Sequence, residues 1–268
     1  MLLHSLIRKT LRDHRRSTLG WGLGMAALTL MQLAVYPSVH SQGAKMRDLI
    51  NSYPSAFKAM FGIEGVDFTS GPGYLSTETF SLLAPLMLIG LGIALGTGAI
   101  ATEEERGTLD LLMASPVSRG RVLAAKALGS LAALVATATV LYLTVLIAAN
   151  ALDMGVSAGT LAQATCAVLV LACACGGVTF LAGAASGKRG TAIAAGAGFA
   201  VISYFIDSLA EITSAVRPWR VISVFHQASP VSALRGDLGI TGVLATAAVA
   251  AACFFIAVYL FQRRDLAA

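Results

Sequence analysis

Charge is what this 268-residue chain has least of: 12% of its residues are Asp, Glu, Lys or Arg, against 56% hydrophobic. With a mean hydropathy of +0.76, so sparse a polar complement excludes a soluble globular domain and points to a polytopic membrane protein. Cysteine is scarce too. Cys166, Cys173, Cys175 and Cys253 all fall in apolar runs, which excludes a disulfide framework and a zinc site and suits small thiols packed between helices. His4, His14, His40 and His226 are scattered, with no H-E-x-x-H, paired-carboxylate or nucleophile-elbow pattern. No catalytic, metal or cofactor-binding residue is expected, and an intramembrane enzyme is disfavoured. Nor does any ionisable group fall securely at the middle of an apolar run, where ion-driven transporters keep theirs; energy for uphill movement would come from another polypeptide.

Apolar runs of about 20 residues are long enough to cross a hydrocarbon core roughly 30 Å thick. Six qualify, at 18–39, 80–101, 122–152, 161–185, 190–212 and 240–261, giving an all-α fold of six transmembrane helices in one domain. The first run is long and has no small-residue cleavage site after it, so it reads as an uncleaved anchor. The third can tilt or project, and Asp207 and Glu211 load the end of the fifth. Loops at 40–79 and 213–239 lie on one side. That side holds six of the nineteen Lys and Arg, while the other collects thirteen, including Arg8, Lys9, Arg12, Arg15, Arg16, Lys188, Arg189, Arg263 and Arg264. Because cytoplasmic loops retain positive charge, both termini are expected in the cytoplasm. The net charge of +5 follows from this asymmetry, so no nucleic-acid partner is expected. Over 1–16, Leu2, Leu3, Leu6, Ile7 and Leu11 alternate with basic residues at helical spacing, the pattern of an amphipathic interfacial helix.

Two features invite over-reading. GAASGKR at Gly183 to Arg189 resembles a phosphate-binding loop, but it is one residue short and places Arg189 where a hydroxyl belongs, so a hinged turn is expected. Gly90, Gly92, Gly96 and Gly98 in the second run offer small-xxx-small surfaces for close helix packing or a dimer seam.

Most of the remaining interest lies in ATEEERGTLDLLMASPVSRGR, residues 101–121, between the second and third runs. Gly107 frees the backbone to bend. Leu109, Leu112 and Met113 then form one apolar stripe on a short helix, which Pro116 ends at Ser115. Ser118 is placed to cap the third span, with Arg119, Arg121 and Lys126 at the lipid boundary. The result is a short cytoplasmic helix clamped between two spans.

EEERGTLDLLMASPVSRGRVLAAK resembles the signature between the second and third spans of type-2 ATP-binding-cassette exporter permeases: acidic residues, then R-G-T-L-[DE]-L-L, then a Pro-[VI]-[ST]-R turn. The basic tail, six spans and the closing FQRRDL at Phe261 to Leu266 are similar as well. The resemblance implies that the helix is a coupling helix. Glu103, Glu104, Glu105, Arg106, Gly107, Thr108, Leu109, Asp110, Leu111 and Leu112 would contact a separate cytoplasmic ATPase, the charges orienting it and the Leu stripe filling its groove. It further implies a dimer of permease copies or paralogues, with ATP and magnesium on the ATPase and none bound here.

The outer loops fit this picture. Tyr53, Phe57, Met60 and Phe61 suit an interfacial helix, and Trp219 with Val221, Ile222, Val224 and Phe225 suits short helices dipping into the outer leaflet. The expectation is therefore the permease subunit of an exporter in a bacterial-type inner membrane, moving an amphipathic or hydrophobic compound such as an antibiotic, ionophore or lipid. The alternatives are a permease relative acting mechanically in assembly or maturation, and a membrane scaffold or sensor.

Overall fold

The computed structural model describes residues 2–43, 48–49, 52–54, 57, 67–105, 107 and 118–264, with side chains from Arg15 onward. Among the described residues there is helix and no strand, and six helical stretches are long and apolar enough to cross a membrane: Arg15–Ser41, Gly71–Ala99, Arg119–Ala151, Ala158–Ser186, Arg189–Ile212 and Ile240–Arg263. The chain is an all-α polytopic membrane protein. We call the face where the second span ends and the third begins proximal, and the opposite face distal.

Several ends differ from the sequence reading in instructive ways. Helix is continuous over Leu2–Leu33, so the basic tail runs straight into the first span with no break in between. The third span starts with Ser118 at its N-cap position, but the side chain makes no capping hydrogen bond. The largest difference is at the second span, which begins at Gly71, well before Phe80. A short helix, Gly71–Tyr74, is capped by the Ser70 hydroxyl, which accepts from the Gly73 N–H. It leads into a π-helix at Leu75–Leu83 and then the α-helix Ala84–Ala99. Pro85 explains the wide turns: in an α-helix its ring would collide with the carbonyl four residues back, at Ser81. Hydroxyls satisfy carbonyls in the preceding turn, Ser76 donating to Pro72 O at 2.8 Å and Thr77 to Gly73 O at 3.1 Å. Such pairing is obligatory where no water reaches.

The fourth span is the centre of the bundle, packed against the second, third, fifth and sixth, while the first lies along the third. Lipid tails are as apolar as the side chains, so association depends on close packing, and small residues permit it. A Cβ on Gly92 would stand 2.6 Å from Ala172 O, and one on Gly96 2.6 Å from Gly176 O. These two glycines therefore let the second and fourth backbones touch within one chain. Gly90 faces the Trp21 ring, and Gly98 is half-buried.

On the distal face, three short helices, Arg217–Ile222, Val224–Gln227 and Pro230–Leu234, connect the fifth and sixth spans. Arg220 anchors them: Nε donates to Asp207 and Nη2 to Glu211, each at 2.7 Å. Burial lowers the Arg220 pKa, but the hydrogen bond and charge of Asp207, with Glu211 behind, more than offset this and raise it. Trp219 stands 62% exposed, placed as a belt residue would be.

Candidate functional site

The second span does not stop at Ala99. A further helical turn, Ala101–Glu105, carries three consecutive carboxylates, and each reaches a different part of the bundle. Glu103 Oε1 lies 2.5 Å from Lys126 Nζ on the third span. Glu104 forms a two-pronged pair with Arg264 at the end of the sixth span, one prong at 3.1 Å. Glu105 accepts from the backbone N–H of Arg189 at 2.8 Å, at the first turn of the fifth span, where the helix dipole favours negative charge.

The cations are fixed in turn. Arg264 Nη1 also donates to Ala184 O at 3.2 Å, near the end of the fourth span. Arg119 Nη1 donates to Arg264 O at 2.8 Å, tying the start of the third span to the end of the sixth. Lys126 is 8% exposed, which corrects the expectation that it snorkels to the lipid boundary. Its position two turns inside the third span suits it to meet a carboxylate descending from the second. An ion that deep needs a partner, because desolvation is expensive.

Two glycines allow the geometry. Gly107 has φ +66° and donates to Glu104 O at 2.9 Å, ending the acidic turn as a left-handed residue does. Gly187, also at φ +66°, ends the fourth span, and a Cβ there would run into Glu104 and Arg264. The glycine within GAASGKR thus makes room for the clasp and turns the chain into the fifth span.

Glu103, Glu104, Glu105 and Gly107 are therefore brought together with Lys126, Arg189 and Arg264. Sequence reading did not join the last three to the acidic run; the available signal was a lone Lys inside an apolar segment beside three consecutive glutamates. Arg106, Thr108, Leu109, Asp110, Leu111 and Leu112 lie outside the described residues, as do Met60 and Phe61. Among the described residues no three His, Cys, Asp or Glu side chains could share a metal ion.

Above the clasp, between the second, third, fourth and sixth spans, lies a cavity of about 460 Å³, within the range of small-molecule sites. Gly92, Gly96, Leu134, Phe180 and Phe254 are among its walls, as is Ser130, whose hydroxyl is buried without a partner. Ala124 and Ala127 of the wall flank Lys126 on the third span, so clasp and cavity share one helical turn.

No curated protein matches the chain. Residues 4–266 match a family model described as ABC-2 family transporter protein, a span that includes the acidic run, the clasp and all six membrane helices. The chain belongs to the ABC-2 transporter family, as a membrane-spanning permease subunit.

Proposed function

We propose that this permease subunit exports an amphipathic or hydrophobic compound, such as an antibiotic, ionophore or lipid, driven by a separate cytoplasmic ABC ATPase that binds ATP and magnesium. The observation that carries the proposal is the clasp. Its three carboxylates tie the segment leading into residues 106–112 to the third, fifth and sixth spans, and through Arg264 to the fourth.

In this reading the ATPase closes on the segment after Glu105, and a displacement there is passed to four spans at once. Charge-assisted contacts suit such a task because they are short and directional. Since the Glu103, Glu104 and Glu105 carboxylates are engaged within the chain, the partner contact falls on Arg106 and on Leu109 and Leu112, an apolar stripe of the kind that seats a helix in a groove. The cavity beside Lys126 then changes shape with the clasp, and its apolar lining suits an apolar cargo. Arg189 and Arg264 at the proximal face accord with a cytoplasmic location for that face, and so for both termini, in a bacterial-type inner membrane. A second copy or paralogue completes the assembly.

Reconstituting the chain with its co-purifying ATPase tests this. Hydrophobic compounds are expected to stimulate ATP hydrolysis and to leave the cytoplasmic side only with ATP present. ATP hydrolysis indifferent to every such compound, without movement of any, would overturn the reading.

A further inference from the structure

Starting the second span at Gly71 takes Glu78 into it, seven residues from the distal end. Counting back roughly 20 residues from Ala99, the length that crosses a hydrocarbon core, lands beside Glu78, so the carboxylate sits at the distal edge of that core. It is half-buried. Among the described residues no Lys, Arg or His forms an ion pair with it, unlike Glu103, Glu104, Asp207 and Glu211. Among the described residues Gln32 of the first span is hydrogen-bonded to it, Nε2 donating to Glu78 O at 3.2 Å and reaching Oε2 at 3.4 Å.

The surroundings hold polar atoms left unmatched. Gln32 Oε1 is buried with no partner, on the same amide that touches Glu78. The hydroxyls of Thr79, next in sequence, and of Thr29, one turn before Gln32, are also buried without partners, in residues that are wholly inaccessible. Tyr74 donates its hydroxyl to Gln32 O at 2.7 Å, fixing the first span against the second. Two acceptors therefore stand together, the Gln32 amide oxygen on the first span and the Glu78 carboxylate on the wide turns of a π-helix, a conformation found often at functional sites. Four and eight residues on, Leu82 and Leu86 are 44% and 65% exposed, an apolar track leading from the carboxylate toward the membrane interior.

We propose that Glu78 and Gln32 form a receiving site for the primary ammonium group of an amphipathic molecule whose apolar tail lies along Leu82 and Leu86. An ammonium group supplies both things this pocket lacks, a positive charge for Glu78 and N–H donors for Gln32 Oε1. An ionisable group at this depth marks a functional site with a partner to be named. That the occupant is exported cargo rests on the export reading; that the site binds an ammonium amphiphile does not.

The test uses the full-length permease without ATPase, in phosphatidylcholine nanodiscs, whose headgroups have no N–H. Thermal stability is measured against dodecylammonium, dodecyltrimethylammonium and dodecanol. Dodecylammonium is expected to raise Tm, the trimethyl compound less, and dodecanol not at all. Glu78→Gln should raise the half-maximal concentration at least tenfold. Gln32→Met, which keeps the carboxylate, should raise it several-fold and serves if the first variant does not fold. Discs containing phosphatidylethanolamine distinguish a lipid occupant: if lipid ammonium fills the site, wild-type Tm rises on lipid exchange alone, Glu78→Gln does not respond, and added amine has no further effect. Equal responses of wild type and both variants to dodecylammonium, or a response to dodecanol as large, would overturn the proposal. Because no ATPase or transport enters, its failure leaves the export reading standing, and a failure of export leaves this result intact.

Discussion

Replacing Lys126 by Met removes the cation from the deepest contact of the clasp. The Lys126 side chain is 10% exposed and that of Glu103 27%, so their 2.5 Å pair is screened from water far more than a surface ion pair. Breaking a buried pair by removing one partner costs about 3–5 kcal/mol, because the other charge stays behind desolvated. The residual exposure of Glu103 places Lys126→Met at the low end, about 3 kcal/mol. For a chain of this size each kcal/mol moves Tm by roughly 2–4 °C, so a fall of about 6–12 °C is expected in detergent. Adding Glu103→Gln removes the negative charge and keeps a hydrogen-bonding side chain of the same shape. Neutral pairs of similar volume often match a buried ion pair in stability, so the double variant should recover most of the loss. Thermal unfolding of the four proteins forms a double-mutant cycle. A single variant within 1 °C of wild type, or a double variant no better than the single, would refute the assignment of Lys126 and Glu103 as a buried, mutually dependent pair.

Other consequences follow from the same contacts. Gly187→Ala places a methyl group at φ +66° against Glu104 and Arg264 and should destabilise by about 1–3 kcal/mol, whereas Gly198→Ala, with open space around it, should leave Tm unchanged or slightly higher. Gly92→Leu forces a side chain into the backbone of the fourth span at Ala172; a sharp loss of folded protein in size-exclusion chromatography is expected, and Gly20→Leu, at an exposed position with open space around it, should elute as wild type. Arg220→Met releases the distal helices from Asp207 and Glu211, at a cost of about 1 kcal/mol for so exposed a pair, and should speed proteolysis within residues 213–223. The raised Arg220 pKa means this contribution is fully present below the unfolded Arg value and is lost only as pH rises through the higher folded one. Arg220 itself should therefore produce no change in Tm between pH 7 and pH 10.

The six membrane helices were legible because hydropathy over 20 residues reports on the solvent around a helix, which tertiary packing does not alter. The second span was legible only in part. Ser76, Thr77, Glu78 and Thr79 read as loop by composition, and they join the helix because π-turns accommodate Pro85 and the Ser76 and Thr77 hydroxyls bond the carbonyls of Pro72 and Gly73, information held in three-dimensional pairing. The acidic run stood out at once, but the destination of its charges did not. Glu103, Glu104 and Glu105 read as a surface for a partner, yet they meet Lys126, Arg264 and the Arg189 N–H, residues 23, 160 and 84 positions away. Nothing local in a sequence distinguishes a carboxylate facing another protein from one facing its own chain. Gly92 and Gly96 were recognisable as packing residues; that they serve the fourth span within the chain required the backbone approach to be seen.

The most direct test of ATPase-driven action is a pull-down of the tagged chain from solubilised membranes, comparing wild type with Leu109→Asp/Leu112→Asp. The Glu103, Glu104 and Glu105 contacts are left intact in that variant, so its Tm should stay near wild type. An ATPase subunit co-purifying with wild type and lost from the folded variant is the expected result. Folded wild-type permease that retains no ATPase, or a variant that retains it as well as wild type, would contradict the assignment of residues 106–112 as the driven segment.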